Sequence, residues 1–429
     1  MTSNEPVIVL GAGLCGSLLT CYLANQGLHV EVYERRADMR NDTNAAVGRS
    51  INLALSARGI EALSKVGFRE EVMSMAIPMK GRTMHSTDGK LTFQPYSKDG
   101  ESYINSISRG DLNCRLMTLS EKNPNVKYFF EHKVVNIDLK NEQVTVQLPS
   151  GETKVVKGQT IIATDGAYSV ARGTMMHMSR YNYSQEYLPT GYKELHIPPG
   201  PNGEHLIDKN SLHIWPRGHL MMIALPNQDG SFTVTCFFPF DGADGFDVLD
   251  RADDATLTQF FEEKFPDVVP LIPSLTHDFR NNPTSSLVTI KCWPWSVNGN
   301  ICLLGDASHA IVPFFGQGMN AAFEDCLVFD RIKREEKGDW GQVFKKFQEE
   351  RKRNTDAIAQ MAEENHYEMR DKVGDHTFLW RKKVERLLGN KFPERFLSRY
   401  ELVSFSLMPY KDALDRGAIN GEIENTHND

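Results

Sequence analysis

GDASHAIVPFFGQGMNAAFED, residues 305–325, follows directly on the apolar run Ile301-Cys302-Leu303-Leu304. A strand that ends at Gly305-Asp306 turns there and presents a carboxylate to a sugar hydroxyl. Pro313, Gly316, Gly318 and Asn320 then make a bend whose backbone N–H groups can close around a pyrophosphate or a polar ring edge, with a helix dipole behind them. One Gly-Asp pair is ordinary turn chemistry. Its company elsewhere in the chain decides the fold.

Near the N-terminus, Val7-Ile8-Val9-Leu10 runs straight into GAGLCG, residues 11–16. Gly11 allows a tight turn, Gly13 lets phosphates approach the backbone, and Gly16 lets a helix pack closely on the strand. A second apolar run, Val30 to Tyr33, ends at Glu34, close to the spacing at which an acid reaches the ribose of a dinucleotide. A third motif lies at TIIATDGAYSVAR, residues 160–172, where an apolar strand delivers Asp165-Gly166, with Ser169 and Arg172 on the next turn.

The three motifs in this order, GxGxxG, DGxxSxxR and GDxxH…P…GxGxN, resemble the FAD-dependent aromatic hydroxylases, flavoprotein monooxygenases that use NADPH. The resemblance implies an α/β chain with a Rossmann-like FAD-binding fold, an inserted antiparallel β-sheet substrate domain and a C-terminal helical region. It places FAD against Gly11, Gly13, Leu14, Gly16, Glu34, Arg35, Arg36, Arg109, Val134, Asp165, Asp306, Gly318, Met319 and Asn320. Arg36, Arg109 and Arg172 could also serve phosphates. With one dinucleotide fingerprint, NADPH has no domain of its own and visits as a co-substrate.

At 429 residues the chain exceeds one compact core. The expected FAD-binding domain is discontinuous, over residues 1–78, 101–175 and 288–340. A segment at 79–100 joins the β-rich substrate domain at 176–287, and 341–429 is helical. Within the middle part the Asn227-Gln228-Asp229-Gly230 turn signals a hairpin, and Ala255 to Phe265 reads as a helix with Leu257, Phe260 and Phe261 on its apolar face. Beyond 341, Phe344, Phe347, Ile358 and Met361 share one helical face. Arg381-Lys382-Lys383 reads as a solvated helix face, and the acidic end GEIENTHND as frayed.

A net charge of -8 argues against a nucleic-acid footprint, and 40% hydrophobic with 24% charged residues is a soluble globular composition. Residues 7–24 are uncharged, but their glycine pattern explains them as strand and helix rather than as a membrane span. A cytoplasmic, soluble chain is expected, with a removed C-terminal membrane anchor of the kind eukaryotic relatives carry left open. Seven scattered cysteines suggest buried reduced thiols, and thirteen histidines show no ligand spacing, so no metal is expected.

Five further segments, RSINLALSARGIEAL (49–63), IPMKGRTMH (77–85), LHIWPRG (212–218), PFFGQGMNAAFED (313–325) and SRYELVSFSLMPY (398–410), are similar to the branch of the family that hydroxylates kynurenine rather than phenols or benzoates. That implies L-kynurenine, NADPH and dioxygen as reactants, and 3-hydroxykynurenine formed through a flavin hydroperoxide. The resemblance assigns Arg82, Tyr96, Asn365 and Tyr410 to the amino-acid end of the substrate, and Phe237, Pro313, Phe314, Phe315 and Gln317 to the ring next to the flavin. It assigns no acid–base residue. Patterning alone reads Arg82 as a surface charge, Tyr96 and Phe237 as sheet packing and Asn365 as a solvated helix residue. Other readings are another aromatic hydroxylase, a redox-sensing flavoprotein, or a flavin-dependent halogenase, whose signature is superficially echoed by Trp293-Pro294-Trp295-Ser296-Val297-Asn298.

Overall fold

The computed structural model describes residues 5–41, 52–97, 100–371, 380, 384, 387–389, 391–392 and 396–426. Residues 49–51, the Arg381-Lys382-Lys383 run and the last three residues of the acidic end lie outside them. The short apolar runs become a six-stranded sheet in the order Ser296–Val297, Ile301–Leu303, Thr160–Ala163, Val7–Leu10, Val30–Tyr33, Val126–Phe129. Its neighbours are parallel except at the Ser296–Val297 edge. All residues of Val7–Leu10, Thr160–Ala163 and Ile301–Leu303 are buried. Unbroken apolar strands are what a parallel sheet covered on both faces requires.

The helix Leu14–Asn25 lies directly on this sheet and is buried from Gly16 to Ala24. A Cβ at Gly16 would meet the Gly11 carbonyl oxygen at 2.0 Å, so only glycine permits the approach. Gly11 itself has φ +94°, and a Cβ there would meet the Thr164 carbonyl at 2.8 Å. At Gly13, by contrast, nothing lies within 4 Å of a Cβ position.

A second, seven-stranded sheet has the order Ser285–Trp293, Asn182–Ile197, Phe232–Pro239, Leu220–Pro226, Ser211–Arg217, Gly81–His85, Leu91–Pro95. Its pairings are antiparallel except that Ser211–Arg217 runs parallel to Gly81–His85. The Asn227–Gly230 signal becomes the turn of the hairpin between Leu220–Pro226 and Phe232–Pro239. Strand alternation divides the side chains. Leu195, Val234, Cys236 and Phe238 face the helices Asp254–Lys264 and Leu275–Asn281, where Phe261, Phe265 and Phe279 close a core. Tyr192, Glu194, Thr235 and Phe237 take the opposite face.

Two small antiparallel sheets complete the strands: Lys133–Asp138, Gln143–Gln147 and Thr153–Lys157, and Asn52–Leu55, Ile104–Ser108 and Ile77–Met79. The helix Trp340–Asp371 ties the two large sheets together. Phe344 and Phe347 pack into the parallel-sheet core. Ile358 and Met361 join a cluster with Phe237, Phe315, Leu402 and Tyr410. Among the described residues no helix is long and apolar enough to cross a membrane.

Because backbone blocks the space beside Gly16 and none blocks it beside Gly13, the two glycines should respond differently to the same methyl group. Gly16→Ala should lower folding stability by about 1–3 kcal/mol, the usual cost of overpacking, and Gly13→Ala by less than about 0.5 kcal/mol. Thermal melting of the two variants checks this.

Candidate active site

The three glycine motifs meet at one place. Gly305 (φ +65°) threads between two helix starts, since a Cβ there would meet Cys15 Sγ at 2.8 Å and Ala322 Cβ at 3.5 Å. Arg172, buried, donates to the Ala307 carbonyl at 2.8 Å and so stitches the Asp165 turn to the Asp306 turn. Ser169 caps its helix by accepting from Arg172 N at 2.9 Å. Burial raises the Asp165 carboxyl above its ordinary value despite hydrogen bonds from the Ser169 side chain and the Val170 and Ala171 N–H groups, and its Oδ1 has no partner.

Two helix N-termini stay open beside this junction. Leu14–Asn25 begins at Gly13 and Gly318–Glu335 at Gln317; neither has a side-chain cap, and neither carries an acid in its first turn. Uncapped N–H groups and a positive dipole end suit a pyrophosphate or the polar edge of a ring. The open space at Gly13 is the cradle such a group needs. Asp306 is exposed and has no hydrogen-bond partner among the described residues, which leaves both oxygens for hydroxyls.

Farther along, Glu34 ends its strand buried. Its Oε2 accepts from Ala12 N at 2.9 Å, and its Oε1 accepts from Arg36 N at 3.0 Å and Arg36 Nε at 2.9 Å. Burial pushes this carboxyl up, but the Arg36 contacts and the Ala12 N–H outweigh it and hold the group below its usual range. The carboxylate is thereby fixed, charged, at the turn. His132 N donates to the Glu34 carbonyl at 2.8 Å, which brings the strand of Val134 to the same end. Arg35, Arg36 and Arg109 are exposed. These residues fit an extended dinucleotide such as FAD, with a fixed carboxylate at Glu34, open N–H groups at Gly13 and an unpaired carboxylate at Asp306.

Asn320 is fully buried and structural in its contacts. Its Oδ1 accepts from Ser56 N at 2.9 Å and its Nδ2 donates to the Ala54 and Gly316 carbonyls at 2.8 and 3.0 Å. It therefore locks the 313–320 loop to the strand Asn52–Leu55. Met319 and Leu14 are half-buried against the main core.

Arg82 stands on the strand Gly81–His85 of the seven-stranded sheet. Its Cζ lies 4.5 Å from the ring centroid of Tyr400 and 5.4 Å from that of Tyr96. The two tyrosine rings are stacked with centroids 5.2 Å apart, and Phe405 packs edge-on to Tyr96 at 5.9 Å. Arg82 Nε and the Tyr96 hydroxyl are buried without a hydrogen-bond partner, and no carboxylate pairs with Arg82 among the described residues. Burial opposes the Arg82 charge, yet the flanking tyrosines keep it protonated. Burial, with Tyr400 beside it, holds the Tyr96 hydroxyl well above its ordinary value, so it remains a neutral donor. Tyr400 and Phe405 were not singled out in the sequence. An aromatic cluster around a known cation would have been the signal.

Phe237 meets Phe314 at 5.2 Å between centroids, and Phe314 meets His366 at 4.3 Å. Asn365 Nδ2 donates to the Phe314 carbonyl at 2.7 Å and so anchors the loop from the long helix. Phe315 stacks on Tyr400 at 5.7 Å, while Pro313 is exposed. Tyr410 is fully buried. Its hydroxyl donates to Gln317 Oε1 at 2.9 Å, and Arg58 stacks on its ring at 3.9 Å. The structure thus brings Arg82 and Tyr96 together, and separately gathers Phe237, Phe314, Phe315, Gln317, Asn365 and Tyr410 around the loop. Trp295 sits in the core, donating to the Cys292 carbonyl at 2.9 Å. Among the described residues no three His, Cys, Asp or Glu side chains are placed to share a metal ion.

Residues 4–330 match the FAD binding domain family. The chain is 50% identical to kynurenine 3-monooxygenase of Dictyostelium discoideum, covering 98% of this chain and 93% of that one. It is 49% identical to the same enzyme of Myxococcus xanthus, covering 98% and 90%. Among solved structures it resembles the tetrameric form of 2-methyl-3-hydroxypyridine-5-carboxylic acid oxygenase, with a TM-score of 0.70 over 86% of this chain and 94% of that one; at 16% identity this shows the fold alone. The chain belongs to the kynurenine 3-monooxygenase family of FAD-dependent monooxygenases.

Asp306→Ala should loosen FAD, because the exposed carboxylate has no protein partner to lose and its only loss is to a ligand. A purified variant that keeps a full complement of flavin by absorption would contradict this.

Proposed function

We propose that this member of the family hydroxylates L-kynurenine to 3-hydroxykynurenine, with FAD bound along the Gly13–Asp306 junction and NADPH and dioxygen as co-substrates. The observation that carries the reading is Arg82. The residue is partly buried, its Nε is fully so and unpaired, and no carboxylate neutralises it among the described residues; a substrate carboxylate would do so through charge-assisted hydrogen bonds. Tyr96 adds a hydroxyl donor at the same spot. A free amino acid with an aryl group at its far end suits this cage, because Phe237 and Phe314 provide an apolar wall beyond it.

Hydride acceptance from NADPH and activation of dioxygen are chemistry that FAD supplies when bound. The chain's own task is positioning. The ring amine of kynurenine already pushes electron density onto the ortho carbon, so no protein base is needed at that atom. Arg82 and Tyr96 fix one end of the substrate, which sets how far the ring extends toward the 313–318 loop. Phe237, Phe314 and Phe315 keep the ring dry. Gln317, held by Tyr410 and reaching Ser56 Oγ at 3.4 Å, fixes the loop. Glu34, Gly11, Gly13, Gly16, Asp165, Gly318 and Asn320 hold or shape the FAD site, and Arg109 lies on its exposed side. We place the enzyme in the cytoplasm.

NADPH oxidation should rise strongly on addition of L-kynurenine and be accompanied by a product heavier by one oxygen. Stimulated oxidation without that product, or none at all, would overturn the assignment. Arg82→Ala should weaken kynurenine binding by about 1.5–3 kcal/mol, the range for hydrogen bonds to charged groups, while FAD stays bound. Unchanged affinity would remove Arg82 from the site.

A further inference from the structure

The face of the seven-stranded sheet that carries Arg82 and Phe237 also carries Met84, Leu212, Ile214 and Ile223, so its polar exceptions are informative. Thr235 lies on the strand Phe232–Pro239, two residues before Phe237 and on the same face. It is 1% exposed, and its hydroxyl has no hydrogen-bond partner. Its strand neighbours at the same level are Ile223 on one side and Glu194 on the other. Ile223 packs both with the cluster around Phe237 and with the one around Tyr96 and Phe405. Thr235 is therefore level with a residue that bridges the cluster around Phe237 and the cluster around Tyr96.

Counting strands gives the reach. From Gly81–His85, which carries Arg82, the order is Ser211–Arg217, Leu220–Pro226, Phe232–Pro239. Thr235 is level with Met84, so three steps of about 4.8 Å across the sheet and two residues along it put Thr235 roughly 16 Å from the Arg82 backbone. A long arginine side chain covers part of that span, and an aryl-keto amino acid covers the rest. With its carboxylate on Arg82 and its ring against Phe237, such a substrate brings its ring substituents to Thr235.

A buried hydroxyl left unpaired costs free energy in the unliganded protein and selects for a ligand that pairs with it. Glu194, also buried, carries a carboxyl beside it with no hydrogen-bond partner among the described residues. Burial pushes that carboxyl up to about 7 against the pull of Arg109. The Thr235 hydroxyl and the Glu194 carboxyl are polar groups on an otherwise largely apolar face, to which a ring amine can donate and a ring hydrogen cannot.

We propose that Thr235 is a specificity-determining residue whose hydroxyl accepts a hydrogen bond from the ring amine of the substrate. This rests on the kynurenine reading above and goes beyond it by assigning the group that recognises the amine. It also explains how the ring is held in rotation about its own axis, which the carboxylate contact alone leaves open. The carbon ortho to the amine is then the one presented to the loop.

The test is Thr235→Val, which keeps the shape and removes the hydroxyl, in FAD-loaded protein. Binding of L-kynurenine is compared with that of its desamino analogue, in which hydrogen replaces the ring amine. Wild type should prefer kynurenine, and the variant should bind kynurenine about five- to tenfold more weakly while binding the analogue as wild type does. Its melting temperature without substrate should equal or exceed that of wild type, since a methyl replaces an unpaired hydroxyl. Equal weakening of both compounds, unchanged kynurenine binding or a lowered melting temperature overturns the role of Thr235. A wild type that binds neither compound takes down the kynurenine reading, and this inference with it.

Discussion

A buried carboxylate, Asp325, holds the site together. Its Oδ2 accepts from Gly305 N at 3.1 Å and from His309 Nε2 at 2.5 Å, and its Oδ1 accepts from Arg351 Nε at 2.6 Å. Arg351 continues to Glu324, and Glu324 to Arg58, each at 2.6 Å; Arg58 ends on the Met408 carbonyl. One chain of charge thus links the Asp306 turn, the helix Gly318–Glu335, the helix Trp340–Asp371 and the C-terminal segment. Burial raises the Asp325 carboxyl, but His309 and Arg351 outweigh that and keep it ionised. A buried network of this kind is weak evidence for stability. Its consequence is geometric, because it ties the Asp306 turn and the helices Gly318–Glu335 and Trp340–Asp371 to one another.

That pairing gives meaning to the group left uncompensated. Four of the buried cations find acceptors: Arg58 on Glu324, Arg351 on Asp325 and Glu324, Lys193 on Asp250, Arg172 on the Ala307 carbonyl. Lys333, on the helix Gly318–Glu335, lies over the Trp340 ring. Arg82 has only the faces of two tyrosines. Aromatic faces stabilise a cation by about 0.5–2 kcal/mol and leave its N–H groups without an acceptor. Asp325 is fully paired and Arg82 has no acceptor, which is the contrast on which the proposed role of Arg82 rests.

The sequence disclosed the first kind of information more readily than the second. Local chemistry marks Gly11, Gly16 and Gly305, because each requires a missing Cβ or a positive φ, and the apolar runs before them could only be buried strands. The antiparallel sheet was legible from the Asn227–Gly230 turn and from alternation. Arg82 and Tyr96 came from family resemblance, since nothing in GRTMH distinguishes a caged guanidinium from a surface one. Tyr400 and Phe405 were missed for the same reason: the cage joins residues more than 300 positions apart. The engagements of Tyr410 with Gln317 and of Asn365 with the Phe314 carbonyl depend on helix packing that no local pattern encodes. Thr235 looks like any strand threonine until its lack of a partner is seen.

The most direct measurement compares L-kynurenine with kynuramine, its counterpart without the carboxylate, in binding to the FAD-loaded protein. If the open charge of Arg82 selects the substrate, kynuramine binds about ten- to a hundredfold more weakly. Equal affinity of the two would contradict the account.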